Sequence, residues 1–215
     1  MTQVSTNQPQ NQTSTSFKRQ GSFTPVLDLS KLQIHKKIGQ GKFPVYLTSI
    51  GTEDGSLQKL VMKEFPFQEG KASPYFEREI MFEGVEHPNV IQILGSEAQK
   101  KIQHAGHKKS YSSLMFLEYA PYGDFFDVLS QKKVKFTEKI TRTYFKQLVS
   151  GLEYLHSNDV AHMDIKPENL LLGENFTLKM ADFDLSYVKG VHNLRHMSRG
   201  TRFYRAPEVF VKQCQ

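Results

Sequence analysis

Apolar and polar positions alternate through the first half of the chain and recur at helical spacing in the second. From about Leu32, "LQIHKKIG" and "PVYLTSI" predict two strands around a glycine-bearing turn, and "QKLVMKEFPF" predicts a third. "SPYFEREIMFEGVEH" predicts a helix, with Ser73 as N-cap and Pro74 at the first position, where a missing N–H is harmless. "NVIQILGSEAQ" and "SSLMFLEYA" predict strands joined by a basic linker, "KKIQHAGHKKSY". Past Tyr122 the period changes. "DFFDVLSQ" and "EKITRTYFKQLVSGLEYLHSN" predict helices, and Phe145, Leu148, Leu152 and Leu155 recur as an inner face. Two short strands follow, around "NLLL" and "TLKMAD". A strand-rich region (32–120) therefore precedes a helix-rich one (121–215), with a hinge near Glu118–Gly123 and no internal repeat. Residues 1–24 are rich in Gln, Asn, Ser and Thr and nearly free of large apolar side chains. Such a segment buries too little surface to offset its ordering entropy, which predicts a disordered tail.

Composition narrows the classes. The chain has 215 residues, enough for one large domain or two small lobes, and is 38% hydrophobic and 23% charged, as in a soluble globular protein. No apolar run approaches the ~18 residues of a membrane span, and the N-terminus lacks a signal-peptide pattern. Cys214 is the single cysteine, which excludes an internal disulfide and fits a reducing compartment. The expected location is cytoplasmic, with the nucleus also open. A net charge of +6 reads as a solvated basic surface, with no nucleic acid expected as partner. The Asn-x-Thr triplets at Asn11 and Asn175 carry no weight without a secretory signal. Nothing in the composition indicates an oligomeric state.

The candidate chemistry lies in five places. In "IGQGKFPVY", Gly39 and Gly41 sit in a turn between strands, where backbone N–H groups can approach a phosphate without an intervening Cβ. Lys63 ends the apolar "LVMK". Alone it reads as a lysine reaching to water; beside the glycine turn it reads as a cation under phosphates. A semi-buried lysine needs a carboxylate, and the next helix offers Glu77, Glu79 and Glu83. Glu77, followed by Ile80 and Met81, borders the apolar face and is the favoured partner. In "HMDIKPENLLL", Asp164 can accept a hydroxyl proton, Lys166 can neutralise a transferring phosphoryl group, and Asn169 can ligate a metal. Asp- and Asn-rich turns are common, so the company matters. "MADFD" brings Asp182 after an apolar strand, and "GTRFYRAPE" follows. Two acids, an amide and a lysine among apolar strands describe a divalent-metal phosphate site.

The order of "GQGKF", "LVMK", "HMDIKPEN", "DFD" and "GTRFYRAPE" resembles the eukaryotic protein kinase family over about residues 34–215. The resemblance implies an α+β, two-lobed kinase fold, with an antiparallel β-rich N-lobe carrying one main helix, a helical C-lobe, and ATP and Mg2+ in the cleft. Ile38, Gly39, Gln40, Gly41, Lys42 and Val45 would cover the nucleotide. Lys63 would hold the α/β-phosphates and be held by the helix glutamate. Asp164 becomes the catalytic base, Lys166 a γ-phosphate contact, and Asn169 and Asp182 the magnesium ligands. Leu117 falls at the gatekeeper position, Glu118 and Ala120 give hinge backbone contacts to adenine, and Asp124 reaches the ribose. Thr201 would bond to Asp164. "DIKPEN" and "GTRFYRAPE" are similar to the serine/threonine branch, which implies a protein hydroxyl as substrate.

Several positions depart from the family pattern. The glycine-rich loop is one residue short and carries Pro44, which has no N–H to give a phosphate. Met163 replaces the arginine before the catalytic Asp, which in the family receives a phosphate from the activation segment. That segment runs from Asp182 to Glu208 with Ser198 as candidate phosphosite, so activity is expected not to depend on Ser198. Asp184 replaces the last glycine of Asp-Phe-Gly and adds a carboxylate near the proposed metal site. The chain stops just past Glu208, where the family's domain continues, and the expectation is a fragment or a natural truncation with exposed apolar surface. Pro44, Met163, Asp184 and this end support a second reading, a scaffold that binds nucleotide or a partner without phosphoryl transfer. In the tail, Arg19-x-x-Ser22 is a basic-directed phosphorylation pattern.

Overall fold

A computed structural model describes residues 27–39, 41–67, 70–102, 110–131, 135–192 and 200–210. The tail, Gln40 and Ser198 lie outside these residues, as does the side chain of Glu208.

The first half forms one antiparallel sheet. Strands β1 (Leu32–Gly39), β2 (Val45–Gly51), β3 (Leu57–Pro66), β4 (Ile93–Ile102) and β5 (Ser110–Glu118) lie in the order β1-β2-β3-β5-β4. Alternation along β3 sends Val61, Lys63 and Phe65 to the inner side and Met62 to the outer one. Outside, Met62, Leu114 and Phe116 are covered by Leu27, Leu29, Leu32, Tyr46 and Ile102. Part of the basic linker is thus strand: β4 runs to Ile102 and β5 starts at Ser110, while 103–109 lie outside the described residues.

Helix α1 (Pro74–Glu79) begins as expected, with the Ser73 hydroxyl accepting from the Tyr75 N–H and Pro74 in the first turn. It is shorter than the pattern predicts. A 3-10 turn, Ile80–Phe82, follows, and Gly84 (φ +80) ends the run. The tighter turn brings Phe82 inward, where its ring stacks on Phe183 at 4.4 Å.

The second half holds α2 (Phe125–Ser130), α3 (Glu138–Ser157), α4 (Pro207–Phe210) and two small antiparallel ladders. These pair β6 (Val160–Ala161) with β9 (Tyr187–Val188), and β7 (Leu170–Leu172) with β8 (Leu178–Met180). Helix α3 needs one correction. Leu155 is buried and Leu148 and Leu152 pack on the core, but Phe145 is 62% exposed and Tyr144 faces inward, edge-on to Phe125 at 4.9 Å. The inner face passes through Tyr144, Leu148, Gly151 and Leu155, and Phe145 lies about 100° round the helix from Tyr144.

One core joins the halves. Phe65, Phe76 and Phe82 from the sheet side pack in the same cluster as Leu155, Leu170, Met180 and Phe183. Backbone bonds stitch the seam: Ile91 N–H to Met180 O (2.8 Å) and Met180 N–H to Asn89 O (2.9 Å).

Candidate active site

A cleft of about 480 Å³ opens between sheet and helices. Its lining includes Ile38, Gly39, Gly41, Lys42, Val45, Lys63, Leu117, Glu118, Ala120, Asp124, Asn169 and Asp182, all singled out from the sequence.

The roof is the β1–β2 turn. A Cβ on Gly39 would lie 2.9 Å from that of Val45, so the strands close here only around glycine. Val45 pairs with Lys63 and Tyr46 with Met62 across β2 and β3, so Val45 faces the cleft and Tyr46 joins the outer cluster. The Pro44 carbonyl accepts from the Glu64 N–H (2.9 Å), which ties the shortened turn to β3. Phe43 packs against Phe65 (4.7 Å between centroids) and Tyr75 (5.5 Å), and Lys42 lies over the Tyr75 ring.

On the cleft wall, Lys63 donates to Glu79 Oε2 and Asp182 Oδ1, both at 2.6 Å. Glu79, 1% exposed, is the partner rather than Glu77. The expectation for Glu77 is corrected by helix phase: Glu79 shares the buried face with Phe76 and Phe82 and ends α1 beside Lys63, whereas Glu77 is outside. Burial alone would lower Lys63, but the carboxylates of Glu79 and Asp182 outweigh it and hold the ammonium above its usual range. Burial pushes Glu79 up to about 7, although the Lys63 charge opposes this. The Lys63 direction governs the group, because one ammonium touching two carboxylates stays charged whichever of them carries a proton.

The floor is the loop before β7. Asp164, 5% exposed, accepts from Lys166 Nζ (2.8 Å) and from the Thr201 N–H (2.6 Å), and the Lys166 ammonium also donates to the Thr201 hydroxyl (2.8 Å). Burial alone would raise the Asp164 carboxyl, but the bonds from Lys166 and Thr201 hold it below the usual range. Thr201 thus stands against Asp164 as expected, through its backbone. Gly200 permits the approach: at φ +91, a Cβ there would lie 2.5 Å from the Met163 carbonyl oxygen. Asn169 donates its amide N–H to Asp164 O (2.9 Å) and Oδ2 (3.2 Å), which leaves the amide oxygen to accept a cation. Met163 itself has φ +69 and Asp182 φ +67, so both flanks of the site hold strained backbone.

Some partners carry no sequence signal of their own. His162, almost fully buried, bonds through Nε2 to Ala181 O (3.0 Å), and its Nδ1 accepts from the Asp164 N–H (3.3 Å). Burial holds its pKa below the usual range, in keeping with an Nδ1 that accepts a hydrogen bond. It also packs on Phe183, which continues the Phe82–Phe183 stack across the seam. Arg78 Nη1 donates to the Asp184 carbonyl (2.7 Å), so consecutive residues of α1 grip Lys63 and the Asp182–Asp184 turn. Asp184 is buried in the cleft wall, and burial with the charge of Asp182 pushes it up to about 6. Toward the hinge, the Glu118 side chain turns away to Lys179 (2.8 Å) and the Gln92 N–H (2.8 Å). Asp124 caps α2 through the Asp127 N–H (2.8 Å) while lining the cleft.

A lysine between two acids under a glycine turn faces an Asp–Lys–Asn floor, the arrangement of side chains that the motif order implied. The comparisons agree. The protein kinase domain family matches residues 32–215. CBL-interacting protein kinase 26 of Oryza sativa subsp. japonica is 37% identical over 192 residues, 86% of this chain and 36% of that protein. CBL-interacting serine/threonine-protein kinase 12 of Arabidopsis thaliana is 34% identical over 205 residues, 93% and 39% respectively. The chain belongs to the protein kinase family, and it spans about two fifths of the length of these curated relatives.

Proposed function

We propose that the chain carries the catalytic centre of a serine/threonine protein kinase, which transfers the γ-phosphate of ATP to a protein hydroxyl. The observation that carries this is the joined network around one cleft: Glu79–Lys63–Asp182 on the wall and Asn169–Asp164–Lys166–Thr201 on the floor. Phosphoryl transfer leaves a protein little covalent chemistry to do. Its work is to position the reactants and neutralise charge.

Lys63, held by Glu79, meets the α- and β-phosphates. Asp164, kept ionised by Lys166 and Thr201, orients the substrate hydroxyl and takes its proton. Lys166 faces the charge that develops on the transferring group. The donor set suits magnesium: two hard oxygen ligands, the Asp182 carboxylate and the Asn169 amide oxygen, with positions left for water and phosphate. That ion, when bound, neutralises the phosphates. Val45, Leu117 and Ala120 form the apolar slot for adenine, and Asp124 is placed for the ribose.

Among the described residues no helix is long and apolar enough to cross a membrane, and the proposed setting is cytoplasmic. Transfer of labelled phosphate from ATP to a generic protein substrate tests the reading. Incorporation that vanishes in Lys63→Met is expected. Absence of incorporation by the wild-type protein, with ATP binding intact, would favour the scaffold reading.

A further inference from the structure

Around the Asp182–Asp184 turn, negative charge exceeds the cations that touch it. Lys63 is committed to Glu79 and Asp182. Lys42, the other cation at this end of the cleft, lies over the Tyr75 ring at 3.1 Å. Asp184 is 7% exposed and lines the cleft; the charges of Lys63 and Lys42 act on its carboxylate from a distance, but among the described residues neither is bonded to it. Only its carbonyl is used, by Arg78. A buried carboxylate without a partner is costly unless something neutralises it. Asp182 leaves Oδ2 outside its bond to Lys63, and the Asn169 amide oxygen is turned away from Asp164.

We propose that Asp184 and Asp182 together hold a divalent cation at this end of the cleft before nucleotide arrives, with the Asn169 amide oxygen as third ligand. The inference rests on the kinase reading of the cleft and adds Asp184, where the family pattern has glycine, to its ligand set. Among the described residues no three His, Cys, Asp or Glu side chains converge on one point. The site is therefore two carboxylates, an amide and waters rather than a closed cage. Hard ions that keep part of their water shell, Mg2+ and Mn2+, suit such a set. The resident ion would also shield incoming phosphates from the extra carboxylate.

Mn2+ alone is the probe, with the free ion counted by electron paramagnetic resonance on nucleotide-free protein. One bound Mn2+ displaced by Mg2+ is expected, with affinity falling about tenfold or more in Asp184→Asn. Absence of uptake, or uptake unchanged in that variant, overturns the proposal. Should Asp184→Asn fail to fold, the wild type still decides. Mn2+ must broaden the backbone amide resonances of Asp182–Asp184, and broadening confined to other residues overturns the proposal. Binding of Mn-ATP without uptake of Mn2+ alone removes the Asp184 role and leaves the kinase reading standing. Uptake of Mn2+ alone without Mn-ATP binding supports the ion site and sinks the kinase reading.

Discussion

Glu79 sets a pH dependence that can be worked out from its burial. Its carboxyl is raised in the folded chain from the usual 4.5 to about 7. Between these values the native state holds a proton that the unfolded state has lost. The contribution to stability is therefore complete below about pH 4.5 and disappears as pH rises through about 7. Glu79→Gln keeps a hydrogen-bond acceptor for Lys63 but cannot titrate. Denaturant unfolding of the nucleotide-free protein at pH 5 and pH 8 should show the wild type losing stability toward pH 8, with a flatter profile in the variant. A steeper profile in Glu79→Gln would refute the assignment. Asp164 acts differently, since its partners hold it ionised. Asp164→Asn removes the proton acceptor and should cut phosphoryl transfer by about 10²–10⁴, with little change in ATP affinity, as measured by phosphate incorporation beside nucleotide titration. At this scale the motif residues were legible, because residue type and spacing name their chemistry. The choice between Glu77 and Glu79 was not. Both acids sit near apolar neighbours in the chain, and only the angle at which α1 docks on β3 selects one.

At the scale of elements, α3 shows where periodicity stops short. It identifies a helix and most of its inner face, but Phe145 and Tyr144 are adjacent and either could start the stripe. Docking decides, because Tyr144 meets Phe125 and Phe136 on the core side. Gly151 packs this helix directly against the β-ladder. A Cβ there would lie 2.5 Å from Met180 Cε and 3.1 Å from the Asn89 carbonyl oxygen, which is itself bonded to the Met180 N–H. In an exposed helix Gly→Ala would gain ~1 kcal/mol. Here the Met180 methyl can swing aside, but the Asn89 carbonyl cannot move without breaking the seam. Gly151→Ala is expected to lose about 1–2 kcal/mol net through overpacking, read as a lower melting temperature. A rise in melting temperature would mean that the helix has room to shift. The ladders β6/β9 and β7/β8 illustrate a further limit: strands of two or three residues are too short to show alternation, and β6 and β9 gave no signal.

For the whole molecule, the cleft is a joint between two halves whose polar contacts, among the described residues, include Lys63 to Asp182, Arg78 to Asp184, Glu118 to Lys179, and the backbone bonds of Asn89 and Ile91 with Met180. A ligand gripping both sides should stabilise the molecule as a unit, by about 2.7 kcal/mol at a hundredfold excess over its dissociation constant. Thermal shift with Mg-ATP should show this, and Asp182→Ala should lose the magnesium-dependent part. An undiminished shift in that variant would remove Asp182 from the metal site. The chain order of the motifs settled the family, the α+β class and the direction of the chemistry, because each motif carries its own residue types at a short, rigid spacing. Tertiary structure alone decided the contacts between distant segments. These are Glu79 rather than Glu77 on Lys63, Arg78 on the Asp184 carbonyl, the use of the Thr201 amide for the expected bond to Asp164, and the burial of the Asp184 carboxylate. Each depends on how rigid elements rotate and dock to fill a shared core. That packing is a property of the assembled volume, to which no local stretch of sequence holds the key.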